Sequence, residues 1–208
     1  MVATLGGLQV PDFGEWPIEW APVATPVPPV SRSHTSAPTP REPAPGRAAG
    51  LSPLQSAFRD VMASVCTPVA VVTSMADGLP HGTTVSAFAS LSMEPPMILA
   101  CLDRASDLLA LLRRTGRFGL NVLGSAQAEL ALNFARKGGA GKFADVPWYI
   151  DGEVPRIPGA GGFLACAVDK MVPGGDHVVV MGRALIAETA AEPPLTYHNR
   201  GFGTHAVF

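Results

Sequence analysis

Residues 163–171 and 177–187 are two long, largely apolar runs separated by Pro173-Gly174-Gly175-Asp176. Turn residues of that kind between two strand-like runs reverse the chain, so the two runs pair as an antiparallel hairpin. The same punctuation occurs upstream, where Asp77-Gly78 follows the β-branched run 69–75 and precedes the run 83–91. Strands joined by tight turns cannot form a parallel doubly wound sheet, because each parallel pair needs a helical crossover. The chain is therefore committed to an antiparallel architecture.

The rest of the chain from residue 51 onward fits that frame. Ser52-Pro53-Leu54-Gln55 starts a helix: Ser52 caps it, Pro53 suits the first helical position and Gln55 completes a capping box. Leu54, Phe58, Val61, Met62 and Val65 recur at helical spacing as one apolar face, and Pro68 ends the element. Residues 83–91 alternate small polar and apolar side chains and read as one strand with a wet face. Pro95-Pro96 interrupts, and 97–102 is a continuous apolar run expected to be a central, buried strand. Ser106 caps a short helix carrying Leu108, Leu109, Leu111 and Leu112, with Gly116 as its C-terminal stop. Residues 118–123 form another strand. Ser125 caps a helix with Leu130 and Phe134 that runs to Gly138-Gly139, and a loop with Lys142 and Phe143 leads to Trp148-Tyr149-Ile150. About six or seven strands and three short helices result. The expected fold is mainly β, an antiparallel split barrel with a few short helices, closed by a tail over 197–208.

Proline divides the chain in two. Ten of the 21 prolines fall in residues 1–50, where 22–45 alternate Pro with Ala, Thr, Ser and Val without helix or strand periodicity. Residues 1–50 read as a disordered or polyproline-like arm, and 51–208 as one barrel domain. The arm holds two of the three tryptophans, in the patch with Phe13, Trp16, Ile18 and Trp20. That patch is either an unstructured leader or a docking segment laid on a neighbouring chain.

Charge excludes several function classes. Fifteen Lys and Arg against 17 Asp and Glu leave a formal charge of −2, with no basic footprint for nucleic acid and no polybasic membrane surface. No apolar stretch reaches the roughly 20 residues of a membrane helix, and the first residues lack a secretion signal. Three widely spaced cysteines, Cys66, Cys101 and Cys166, point to no disulfide framework or zinc site. A cytoplasmic protein with reduced thiols is expected, and Cys101 and Cys166, lying in apolar runs, are expected in the core. Motifs for serine hydrolysis, phosphate-loop binding and zinc proteolysis are absent, no GxGxxG opens a helix, and the five histidines lack metal spacing. No metal is expected.

What remains is a cluster of hydroxyls, Thr83, Thr84, Ser86, Ser90 and Ser92. On one strand, Thr84, Ser86, Ser90 and Ser92 share parity, so most of them are expected to face one side. Such a face suits a flat hydrogen-bonding heterocycle and its phosphate; the other reading is an ordinary solvated strand side. Arg104 and Ser106, where the next strand passes into a helix, either hold an anion or serve a simple N-cap.

These residues carry a resemblance. Gly82-Thr83-Thr84-Val85-Ser86-Ala87-Phe88-Ala89-Ser90-Leu91-Ser92-Met93-Glu94-Pro95-Pro96, with 97–104 after it, resembles the flavin reductase family with the FMN-binding split barrel, the reductase components of two-component flavin monooxygenases. Residues 118–123, Gln127 with Phe134-Ala135, Lys142-Phe143, Gly175-Asp176-His177 with Gly182, the stretch 194–198, and Gly201-Phe202-Gly203 resemble later family motifs in order. The likeness spans about residues 58–203. Pro68 departs from the Gly or Ala of many members, Asn199-Arg200-Gly201 is a variant of the usual run, and the arm has no general counterpart.

The resemblance implies an NAD(P)H:flavin oxidoreductase that reduces FMN or FAD with NADH or NADPH and supplies a partner flavin-dependent monooxygenase. It implies a homodimer with flavin near the subunit interface. It places Thr83, Thr84, Val85, Ser86, Ser90 and Leu91 along the ring and ribityl chain, largely through backbone groups, and Asp103, Arg104 and Ser106 near the flavin phosphate. His177 borders the nicotinamide, with Tyr197 and the 200–202 loop nearby; the other reading of His177 is a turn residue. Hydride transfer is carried by the two cofactors, which is consistent with a chain lacking a nucleophile or metal motif. A non-catalytic split barrel holding flavin or haem, as carrier or sensor, is the alternative.

Overall fold

The computed structural model describes residues 50–205. The aromatic patch at 11–20 and the proline-rich run of the arm lie outside the described residues. In chain order the elements are α1 (Pro53–Ala63), β1 (Thr67–Pro68), β2 (Ala70–Ala76), β3 (Leu79–Val85), β4 (Phe88–Met93), β5 (Pro96–Asp103), α2 (Asp107–Thr115), β6 (Arg117–Val122), α3 (Ala128–Ala135), β7 (Tyr149–Asp151), β8 (Val154–Arg156), β9 (Gly162–Gly174), β10 (His177–Thr189), β11 (Leu195–His198) and β12 (Gly201–Thr204). Short 3₁₀ turns at Ser125–Gln127 and Gly139–Phe143 flank α3.

Seven strands form the main sheet in the order β3-β2-β6-β9-β10-β5-β4. Every pairing in it is antiparallel. Its two edge strands, β3 and β4, are consecutive in the chain and separated only by Ser86 and Ala87. A sheet whose edges are tied by two residues must curl until those edges approach, which is the barrel expected from the hairpin pattern. The hairpin turn is as read, with β9 ending at Gly174 and β10 beginning at His177, and Gly175 supplies a φ of 64°. Asp77 and Gly78 turn with φ of 53° and 75° between β2 and β3.

β2 explains why 69–75 is so continuously apolar. Val72 faces the barrel core with Ile98, Leu102, Phe118, Leu120 and Val180, plugged by Leu108, Leu109 and Leu112 of α2. Val71 faces a second core with Leu123, Phe134, Phe143, Ile157 and Leu195, which seats α3 and the turn after it. A strand buried on both faces loses the alternation of a half-wet strand. Gly182 is required at its place in β10, because a Cβ there would overlap the Phe118 ring. The sheet also grips β8 through Asn121: its Nδ2 donates to Val71 O (3.2 Å) and Pro155 O (3.4 Å), and its Oδ1 accepts from Ile157 N (2.8 Å).

Several expectations change. The single strand at 83–91 is two strands broken at Ser86–Ala87, with a bulge between Ser90 and Ser92. The shared face of Thr84, Ser86, Ser90 and Ser92 is therefore lost, since a break and a bulge each reset side-chain parity. The run at 97–102 is β5, next to an edge, and it alternates: Ile98, Ala100 and Leu102 are buried while Met97, Leu99 and Cys101 are half-exposed. Cys101 thus stands on the outer face, and only Cys166 is core. Ser125 caps nothing: Gln127 Oε1 accepts from Gly124 N (3.0 Å) and sets the turn before α3, which ends at Ala135. The tail forms its own hairpin, β11–β12, which with β1 makes a three-stranded sheet.

α1 begins with the expected capping box between Ser52 and Gln55. Its apolar face, however, is uncovered: Leu54 is 78% and Phe58 65% exposed, with Val61, Met62 and Val65 also exposed. The helix is held to the barrel by Asn199 N donating to Ala63 O (2.7 Å) and by the Arg200–Asp60 ion pair.

Candidate functional site

A cleft of about 480 Å³ opens at one end of the barrel. Three pieces of chain enclose it. β3 contributes His81, Gly82 and Thr83; the β5–α2 junction contributes Asp103, Ala105, Ser106 and Asp107; the end of α3 and the turn after it contribute Arg136, Lys137, Gly138, Gly139 and Lys142. Gly82 is needed because a Cβ would come within 2.9 Å of the Phe134 ring beneath it.

The β5–α2 junction is pinned by its own backbone. Asp103 Oδ1 accepts from Ala105 N (2.7 Å), and Asp103 O accepts from Ser106 N (3.0 Å). Ser106 stands at the N-cap of α2 but makes no side-chain cap bond, which leaves its half-buried hydroxyl on the cleft wall. Gly116 ends α2 with φ 64°, as expected of a C-terminal glycine.

The opposite wall is basic. Lys142 Nζ donates to Gly82 O and Phe134 O (3.1 Å each), tying the turn to β3 and α3, while Asn133 Nδ2 donates to Lys142 O (2.7 Å). Burial pulls the Lys142 ammonium below the usual lysine range, and the charge of Asp107 opposes that shift. Arg136 and Lys137 are exposed at the rim.

The sequence-derived residues divide into three groups. Thr83, Asp103 and Ser106 line the cleft. Thr84, Val85, Ser86, Ser90 and Leu91 continue away from it along β3 and β4. The Thr84 hydroxyl is committed to Ala131 O (2.7 Å), Val85 is buried in the barrel core, and Ser86, Ser90 and Leu91 are exposed. The side chains of Thr84 and Val85 are thus occupied within the fold, which leaves their backbone groups for any ligand contact. Arg104 is exposed beside the cleft, and its N–H donates to Asp176 O (2.9 Å).

His177 and Tyr197 form the third group. His177 is the ladder partner of Asp103 and sits half-exposed at the cleft end of β10, with Nδ1 2.8 Å from Asp176 Oδ1. That contact holds the Asp176 carboxyl below the usual carboxylate range. Tyr197 pairs with Thr67 and packs edge-on against Phe202 at 5.4 Å. The ladder that begins at His177 ends at Thr189–Gly162; Gly162 pairs with Val122 and Val122 with Ala70, beside the sheet of Tyr197. His177 and Tyr197 therefore stand at opposite ends of the barrel.

His81, Arg136 and Lys137 were missed from the sequence, and Lys142 was noticed only as part of a motif. The usable signal was Arg136-Lys137-Gly138-Gly139, a basic pair followed by two glycines at a helix end. Among the described residues no group of three or more His, Cys, Asp or Glu is placed to hold a metal ion. No described helix is long and apolar enough to cross a membrane.

Residues 62–206 match the family described as Flavin reductase like domain. The chain is 38% identical over 154 residues to the reductase component of 4-nitrophenol 4-monooxygenase/4-nitrocatechol 2-monooxygenase of Rhodococcus opacus, covering 74% of this chain and 83% of that one. It is 32% identical over 150 residues to the reductase component of 4-hydroxyphenylacetate 3-monooxygenase of Thermus thermophilus, covering 72% and 95%. Among solved structures it is similar to the NADH:FAD oxidoreductase SgcE6 of Streptomyces globisporus C-1027, with TM-score 0.70, 29% identity, and 78% and 100% of the two chains covered.

Proposed function

Because the chain belongs to the flavin reductase like family, we propose that it is an NAD(P)H-dependent flavin reductase that reduces FMN or FAD and supplies the reduced flavin to a partner flavin-dependent monooxygenase. The observation that carries this reading is the cleft itself: its cationic wall lies beside Thr83, from which β3 runs on through Thr84 to Ser86. A phosphate-bearing tail and a flat ring need such neighbouring surfaces. The named relatives are reductase components of monooxygenases, and one similar structure is a complex with NAD and FAD fragments.

The residues present fit a flavin. Lys142, Arg136 and Lys137 offer charge-assisted donors to phosphate oxygens, with the Ser106 hydroxyl facing them. Backbone groups at Thr84 to Ser86 offer donors and acceptors to a polar ring edge, and donors there stabilise negative charge developing on that ring. When bound, the flavin and nicotinamide supply the chemistry, a hydride passing from nicotinamide C4 to flavin N5. The protein's part is to hold the two rings in contact and to exclude water. His177, oriented by Asp176, borders the nicotinamide in this reading, and Tyr197 flanks it.

Within one barrel those two residues are at opposite ends, so a nicotinamide bordered by both draws them from two protomers. That requirement, with the uncovered face of α1, supports a homodimer with flavin near the interface. Residues 51–208 act as the reductase domain, working in the cytoplasm. The test is oxidation of NADH and of NADPH by the full chain with FMN or FAD added. Turnover that requires added flavin supports the reading; stoichiometric tightly held pigment without nicotinamide turnover replaces it with a carrier.

A further inference from the structure

The cleft is larger and more mixed in charge than a single phosphate needs, and from this we propose that it selects a dinucleotide flavin, taking the pyrophosphate and adenosine of FAD in preference to the lone phosphate of FMN. The inference rests on the flavin reductase reading and deepens it.

Position comes first. Thr84, Val85 and Ser86, the strand segment assigned to the ring, do not line the cleft, which begins at Thr83 and extends away from them to the loop at 136–139. Whatever fills it lies beyond the ring along the flavin tail. Size is the second point. At about 480 Å³ the cleft falls among clefts that bury a whole small molecule, roughly 300–1,000 Å³, and well above the space of one phosphate.

The lining chemistry is the third point. Arg136, Lys137 and Lys142 suit a pyrophosphate carrying two negative charges. The same cleft is lined by two carboxylates, Asp103 and Asp107, and the Asp107 charge acts on Lys142. Carboxylates repel the phosphates of either flavin, so the charge of the tail gives them no role. They accept hydrogen bonds from ribose hydroxyls and from an adenine amine, which FAD has and FMN lacks. The half-buried His81 ring on the same surface offers a flat partner for a purine. Gly139, at φ 54° with open space on the side where a Cβ would stand, lets the rim backbone approach a bulky ligand.

The experiment measures binding of FMN and FAD to the full chain by flavin fluorescence, with NADH turnover in parallel. FAD is expected to bind more tightly by about tenfold or more, the order of one charge-assisted hydrogen bond. The double variant R136A/K137A should weaken FAD by a similar factor and FMN by clearly less, with circular dichroism unchanged. Equal affinities, or tighter FMN, overturn the selectivity while leaving the reductase reading intact. A double variant that weakens both flavins equally overturns the assignment of this cleft to the dinucleotide. Absence of turnover with either flavin overturns the reductase reading itself.

Discussion

His177 stands directly across the β5–β10 ladder from Asp103, so the turn after β9 and the junction before α2 meet at one end of the cleft. Arg104 N donates to Asp176 O at the same place, and Asp176 in turn holds the His177 ring. Two segments more than 70 residues apart in the sequence are thereby one structural unit. Replacing His177 with Ala should lower kcat/KM for the nicotinamide by about tenfold to a hundredfold, the scale of lost positioning, with flavin affinity little changed. Steady-state kinetics decides it: an unchanged rate would leave His177 as a turn residue alone.

Lys142 should give flavin binding a pH dependence. Its ammonium loses a proton at lower pH than a free lysine, because burial disfavours the charge. Below that pKa it is charged and attracts phosphate; as pH rises through it the attraction is lost. Above pH 7, where the flavin phosphate is fully ionised, FMN and FAD affinity should fall with pH earlier than a free lysine would allow, and K142Q should bind weakly and lose this dependence. Fluorescence titrations at several pH values provide the measurement.

In the proposed homodimer the face of α1 should matter only between subunits. Burying a phenylalanine side chain is worth about 1.5–3 kcal/mol, so Phe58→Glu should raise a dimer dissociation constant by at least about tenfold while leaving the far-ultraviolet spectrum unchanged. Analytical ultracentrifugation settles the point, and a variant that stays dimeric places the interface elsewhere.

Asn121 is fully buried and satisfies Val71, Pro155 and Ile157 at once. Asn121→Leu leaves the Ile157 N–H without its acceptor in a dry core, while Pro155 O keeps the Thr73 hydroxyl, at a cost of about 1–3 kcal/mol. Urea denaturation should show a lower midpoint with an unchanged slope.

The thiols should separate by environment. Burial pushes the Cys166 thiol up to about 12, so it holds almost no reactive thiolate near neutrality, whereas Cys66 is exposed. In the C66S/C101S variant, Ellman's reagent should find no reactive thiol until the protein is unfolded; rapid labelling of the folded variant would contradict the buried position.

Local signals in the chain reached far. Pro173 to Asp176 and Asp77-Gly78 determined two hairpins, Ser52 with Gln55 determined the start of α1, and Gly116 the end of α2, because turn and cap chemistry is written in neighbouring residues. The antiparallel split barrel was readable for the same reason, whereas Thr83, Asp103 and Ser106, which line the cleft, entered through the hydroxyl cluster and the family resemblance. Tertiary structure alone decided the rest. Whether 83–91 runs straight or breaks at Ser86 depends on barrel closure, which no neighbouring residue records. Whether the stripe of α1 is covered depends on what packs against it, since periodicity marks an apolar face but not its partner. And only folding brings Lys142 to the carbonyl of Gly82, gathers Arg136, Lys137 and Asp103 around one cleft, and sends His177 and Tyr197 to opposite ends of one barrel. Those are relations between distant segments, and they exist only once the sheet has fixed its register.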